Sequence, residues 1–208
     1  MKTQSAVSRF WQWFSENHHN VSNAYSTADY DWLSTNVSRR IRLLSDSLNW
    51  EIGPYHVPDK TFVLSPTIRE NLPLTRAAVE MAPELVGWRF LHAKPRKQLT
   101  RLVFQSRGCT VDAEGWQYKL VSYNKGEFVD LLLYIDAEGF PSAHDQLFAE
   151  LVVESLVGEE LRLDRIGFVQ ANIVENTREI ENTTPIRFLH KHLLTVLTPE
   201  AEQGRKRR

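Results

Sequence analysis

The stretch that decides the fold is WQYKLVSYNKGEFVDLLLYI, residues 116–135. Two runs rich in leucine, valine and aromatic residues, 116–123 and 128–135, are separated by a short polar connection that contains Gly126. This pattern is typical of a β-hairpin, because glycine adopts the backbone conformations that tight turns require. The second run is apolar at nearly every position, so we expect it to be the most buried strand of its sheet.

Elements of both kinds are predicted around this hairpin. Further strands are predicted at residues 50–52, 61–64, 87–93, 102–104 and 165–174. Helices are predicted where apolar residues recur every three or four positions, at residues 5–17, 28–48, 73–81, 142–157 and 185–197. Short connections, and no helical crossovers, join the strands between residues 87 and 135. The order therefore favours an α+β fold, a single domain with an antiparallel or mixed β-sheet and helices packed on it.

The length of the chain bounds its organisation. With 208 residues it is long enough to bury a sizeable core in one domain, and no linker divides it. Aromatic residues make up 11%, which argues against a disordered chain. We predict a single domain over residues 1–197, followed by a polar, basic tail over 198–208 that ends Arg-Lys-Arg-Arg.

Composition also restricts the class of protein. A formal net charge of −1 lacks the surplus of cations that displaces counterions from nucleic acid, so nucleic acid is disfavoured as a partner. No apolar run is long enough to span a membrane, and the N-terminus lacks the apolar core of a secretory signal. The single cysteine, Cys109, cannot form an internal disulfide. Together these features predict a cytoplasmic protein without a membrane partner.

The histidines do not show the spacing of a metal site. His18 and His19 are adjacent, so we expect their rings to diverge. His190 and His192 are two positions apart on a predicted helix, which points them about 200° apart. The chain contains neither a glycine-rich phosphate-binding loop nor a nucleophile elbow. The sequence therefore predicts no metal ion, no cofactor and no catalytic residue.

Acid–base chemistry needs a carboxylate in an apolar pocket. Asp130 interrupts the apolar run 128–135, and we expect it at an outward-facing or sheet-edge position. Glu159 and Glu160 follow Gly158, and we expect them in a solvated turn. Neither group is predicted to form an active site.

Candidate partner-binding residues come from two places. Trp13 lies off the buried face predicted for the first helix, so it either completes the core or anchors a partner. The densest internal group of cations comprises Lys94, Arg96, Lys97 and Arg101. These cations either protect a sheet edge from aggregation or bind an acidic surface of a partner.

Three segments carry a resemblance to a known family: FWQWF at residues 10–14, APELVGWRF at 82–90 and Lys-Pro-Arg at 94–96. Together they resemble a family of bacterial cytoplasmic proteins with an FWxWF helix and an APxLxGWxF stretch followed by KPR. The resemblance spans most of residues 7–170 and implies no catalytic residue. Some small proteins of this kind resemble immunity or accessory proteins of bacterial toxin systems.

These observations favour a non-enzymatic cytoplasmic protein that binds another protein, of which an immunity role is one form. One alternative is a hydrolase whose site is assembled from distant residues. A second alternative is a nucleic-acid accessory protein that uses the basic stretch 94–101 and the tail. The sequence leaves the oligomeric state open.

Overall fold

The computed structural model describes residues 2–56, 59–137, 140 and 144–197. Helices pack with antiparallel and mixed sheets, so the predicted α+β class is confirmed. The chain divides into two compact units, Met1–Pro95 and Arg96–Arg208, and each has its own hydrophobic core. The predicted boundary between a domain over residues 1–197 and a tail stays a prediction. The tail, residues 198–208, lies outside the described residues.

The first unit begins with a long helix, α1 (Lys2–Ser26). One face of it is buried as predicted, with Phe10 and Phe14 among its core residues. The helix continues past the predicted end at residue 17, because Val21 and Ala24 extend the same buried face. The polar run around His18 and His19 therefore lies within the helix.

The second predicted helix, residues 28–48, is shorter in the structure. It comprises α2 (Tyr30–Leu33), a π-helical segment (Ser34–Ser38) and α3 (Arg39–Ile41). Leu44 and Leu48 continue the helical spacing but reach the core through turns, in which their amides donate to Ile41 and Ser45 at 2.8 and 3.3 Å. The spacing of the leucines alone cannot distinguish a leucine buried by a continuous helix from one buried by a turn.

A mixed sheet of three strands completes the first unit. Strands β1 (Asn49–His56) and β2 (Asp59–Ser65) include the strands predicted at residues 50–52 and 61–64, and they pair antiparallel. The chain then passes through α4 (Leu72–Glu80), as predicted for residues 73–81. Strand β3 (Trp88–Leu91) lies parallel to β2, so α4 forms a helical crossover between them.

Aromatic side chains fill the core of the first unit. The ring of Phe14 lies 5.1, 5.2 and 5.4 Å from the rings of Phe62, Trp88 and Phe90, in edge-to-face geometry. The indole Nε1 of Trp11 donates to the Ala78 carbonyl at 2.6 Å. The FWQWF segment is therefore mainly a packing element, because its apolar face joins α1 to both the sheet and α4.

The second unit is built on the hairpin that the sequence predicts. Strands β4 (Val103–Ser106) and β5 (Cys109–Asp112) pair first. Strands β6 (Gln117–Tyr123) and β7 (Phe128–Asp136) then pair antiparallel. Strand β8 (Ile166–Val174) lies parallel to β7, and the short β9 (Thr184–Pro185) pairs with β6. The resulting order is β8-β7-β6-β9, so β7 occupies the interior of the sheet.

Three helices accompany this sheet: α5 (Asp145–Val157), α6 (Glu159–Arg165) and α7 (Leu189–Val196). Residues 142 and 143 of the fourth predicted helix lie outside the described residues. Alternate residues of β7 are fully buried in one core with α5 and α7, while the residues between them are half-buried. The high apolar content of β7 therefore reflects burial of one face and partial cover of the other.

We expect Phe14→Ala to destabilise the first unit by about 3–5 kcal/mol, since the ring is fully buried among aromatic partners. Urea unfolding followed by tryptophan fluorescence measures the loss. Gln12→Ala is the matched control on the same helix, because Gln12 is exposed and should change stability by less than about 0.5 kcal/mol. A Phe14→Ala cost as small as that of the control would contradict this account of the core.

Candidate interaction surface

The basic segment at the start of the second unit is tied to that unit by main-chain hydrogen bonds. The amide of Lys97 donates to the Ser155 carbonyl in α5 at 2.7 Å. The amide of Leu102 donates to Oε1 of Glu114 at 3.0 Å, and the Leu102 carbonyl accepts from the amide of Ala113 at 2.8 Å. The segment is therefore held at both ends, while the side chains of Arg96 and Lys97 are exposed.

Arg96 contacts α7 directly. Its Nη1 lies 2.8 Å from Nδ1 of His190. A guanidinium can only donate, so Nδ1 accepts and the imidazole proton is on Nε2. Burial, and then the positive charge of Arg96, lower the pKa of His190. His190 is therefore a neutral acceptor at pH 7 that holds the Arg96 side chain against α7.

The turn before α7 and the helix itself present further cations. Leu189 and Leu193 are fully buried, which directs the opposite face of the helix to solvent. Arg187 and Lys191 are both exposed and lie four residues apart, so they share that face. Residues 186–196 contain no carboxylate, and exposed Phe188 adjoins the two cations in sequence.

Glu114 connects this face to Arg101. Its carboxylate contacts the guanidinium of Arg187. The amide of Leu102 and then Arg187 lower the pKa of Glu114, and the charge of Arg101 acts in the same direction. Arg101 also lies 3.8 Å from a carboxylate oxygen of Asp112. Two acidic groups therefore lie among these cations.

We call Arg96, Lys97, Arg101, Arg187 and Lys191 the basic patch. The structure brings three predicted binding residues, Arg96, Lys97 and Arg101, onto one unit together with α7. Sequence reasoning missed Arg187 and Lys191. The signal that could have revealed them is the absence of carboxylates from residues 186–196, where two histidines accompany the two cations.

The other two predicted binding residues belong to the first unit. Trp13 is half-buried, and it packs on the aromatic core while the guanidinium of Arg40 lies 4.0 Å from its ring centre. This cation–π contact covers part of the indole. Arg40 also helps to line a hollow of about 140 Å³, together with Arg9 and Leu43. Lys94 is half-buried and makes its own polar contacts.

The histidines make contacts of other kinds. The His18 and His19 rings lie 3.9 Å apart, so the prediction that they diverge is wrong. Nδ1 of His192 lies 2.9 Å from the hydroxyl of Tyr118, which joins α7 to β6. Burial raises the pKa of Tyr118, so its hydroxyl stays protonated. Among residues 2–56, 59–137, 140 and 144–197, no three histidine, cysteine or acidic side chains are grouped to hold a metal ion.

The two carboxylate groups have different outcomes. Asp130 is half-buried on the outer face of β7, where it accepts from the amide of Phe168 at 3.2 Å. This contact stabilises a β-bulge, because Gly167 and Phe168 form the extra length of β8 opposite Asp130. Glu159 was expected in a solvated turn, and that is wrong. It is buried in the first turn of α6, which begins directly after Gly158 at φ 88°.

A shallow groove lies beside the APELVGWRF segment of the first unit. Its volume is about 560 Å³, and its lining includes Pro83, Leu85, Val86 and Trp88. Val86 is fully exposed, whereas Trp88 is buried. The segment therefore supports the core through Trp88 and leaves an opening of mixed polar and apolar character beside it.

Comparison with models of known protein families, with curated proteins and with solved structures finds no significant match for this chain. In the part of the chain that the structure describes, none of the helices combines the length and apolarity needed to cross a membrane.

We expect Arg96→Ala to raise the pKa of His190, because the substitution removes a positive charge beside the ring. The pKa should stay below the ordinary value for histidine, since burial, the larger cause, remains. An NMR titration of the histidine ring protons measures the pKa of His190 in the wild type and in the variant. Arg178→Ala, which removes an exposed cation of the same unit, should leave the titration unchanged. An unchanged His190 titration in Arg96→Ala would show that the two side chains do not interact.

Proposed function

We propose that this protein acts by binding an acidic surface of another protein through the basic patch. The observation that carries the proposal is the attachment of Arg96 to α7 through His190, beside exposed Lys191 of that helix and exposed Arg187 of the turn before it. A fixed cation loses less side-chain entropy on binding than a free one, so this arrangement suits recognition. The patch is also local, in a chain whose formal net charge is only −1.

An exposed aromatic side chain supports a protein partner. Phe188 is 51% exposed and directly follows Arg187 in the turn before α7. Protein interfaces combine a buried aromatic anchor with charged residues at the rim, and this pairing matches that composition.

The cytoplasmic location, the bacterial setting and the immunity role that we propose rest on the sequence. A chain with one cysteine, half-buried Cys109, suits the reducing cytoplasm. The resemblance of the FWxWF and APxLxGWxF segments supports a bacterial setting, and an immunity role in a toxin system is one form of the binding function. The nucleic-acid alternative is addressed by the nuclease outcome of the binding test, and the hydrolase alternative stays a prediction from the sequence.

The test compares two double variants with the same change of charge. Lys97→Glu with Lys191→Glu reverses two exposed cations of the basic patch. Lys125→Glu with Arg178→Glu reverses two exposed cations elsewhere in the same unit. Proteins captured by the tagged wild-type chain are identified, and the purified candidate is then titrated by calorimetry. We expect the first double variant to weaken binding at least about tenfold, and the second to change it little.

Two further treatments of the captured complex, added salt and nuclease, test how the partner is bound. Binding through the basic patch should weaken as the salt concentration rises, because exposed charges are screened. A partner that binds both double variants equally would contradict the proposal, as would a complex that is insensitive to salt. Captured material that nuclease releases would also contradict it and favour the nucleic-acid alternative.

A further inference from the structure

The outer edge of β8 is partly closed and partly open. At its beginning, Nη1 of Arg162 donates to the Ile166 carbonyl at 3.0 Å. Nε2 of Gln146 donates to the Val169 carbonyl at 2.7 Å. Side chains from α6 and α5 thus satisfy the first outward-facing carbonyls of this edge strand. The remaining length, toward Val174, has no such cover among the described residues.

The open part is defined by the direction of its main-chain groups. The Val174 carbonyl accepts from Ala137, the residue after β7, at 2.8 Å, so Val174 faces β7. Main-chain groups alternate in direction along a strand, which places those of Ala171 and Ile173 on the open side. Within the described ranges, neither residue has a main-chain partner on that side. Each therefore presents one donor and one acceptor.

The open edge lacks the usual protection against pairing. Residues 166–174, IGFVQANIV, contain neither a charged residue nor a proline, which are the common devices that keep exposed edges apart. Ile173 is 37% exposed, and Leu147, next to Gln146 on α5, is 36% exposed. An uncharged strand with free hydrogen-bonding groups and exposed apolar side chains is a template for another strand.

We propose that two copies of this chain associate by antiparallel pairing of β8 about Asn172. In this register Ala171 of each copy lies opposite Ile173 of the other, and each pair exchanges two main-chain hydrogen bonds. The pairing satisfies all the open groups without displacing Gln146 or Arg162. It also brings each exposed Ile173 side chain beside Ala171 of the second copy. The strand is thus complementary to itself, which makes a second copy the best-fitting partner.

The result is a continuous sheet through both copies. The paired residues, Ala171 and Ile173, do not belong to the basic patch.

Sedimentation velocity across a wide concentration range tests the association in the full-length chain. We expect the wild type to shift from monomer to dimer as its concentration rises. Ile173→Lys should weaken association at least about tenfold, because it puts a charge into the paired edge. Val121→Lys is the matched control, since Val121 is exposed on β6 of the same sheet but away from the open edge. It should dimerise like the wild type.

Amide hydrogen exchange supplies a readout that needs no substitution. The amides of Ala171 and Ile173 should become protected as the concentration rises. The amide of Asn172, which faces β7, should be protected at every concentration and serves as the internal reference. A wild type that stays monomeric overturns the proposal. So do a dimer in which the exchange of Ala171 and Ile173 is unchanged, and an Ile173→Lys variant that dimerises as well as Val121→Lys.

Discussion

Burial of one face of α7 is the constraint on which the proposed binding surface depends. Ile186, Leu189 and Leu193 are fully buried in the core that α7 shares with β7 and α5. Their burial leaves the helix no freedom to rotate, so Arg187 and Lys191 must face solvent. The contacts of His190 and His192 then use the flanks of the helix. One flank receives Arg96, and the other contacts Tyr118.

This arrangement gives the two histidines roles that differ from metal binding. Because they are two positions apart on the helix, they point in different directions. Nδ1 of His190 contacts Arg96, and Nδ1 of His192 contacts Tyr118. His190 holds a cation at the surface, and its lowered pKa prevents a competing positive charge at neutral pH. The first contact orients Arg96, and the second joins α7 to β6.

Much of the architecture could be predicted from local pattern. The hairpin of β6 and β7 follows from two apolar runs separated by a short polar connection with Gly126, and both the pattern and the pairing are local. The helix at residues 28–48 was overextended, because Leu48 keeps a helical spacing while a turn buries it. Glu159 was misplaced, because its burial depends on how α6 begins directly after Gly158. The interaction surface could be predicted only in part. Arg101 and Arg187 are brought together through Glu114, and that contact depends on the tertiary fold.

The most direct measurement of the central claim is chemical-shift mapping of the isotope-labelled protein with a short polyglutamate peptide at low ionic strength. This probe tests whether the basic patch attracts carboxylates without requiring the natural partner. We predict that the amides of Arg96, Lys97 and Lys191 shift together and return to their starting positions when salt is added. An absence of shifts at these amides, or shifts that centre on the first unit, would contradict the claim that this surface binds acidic partners.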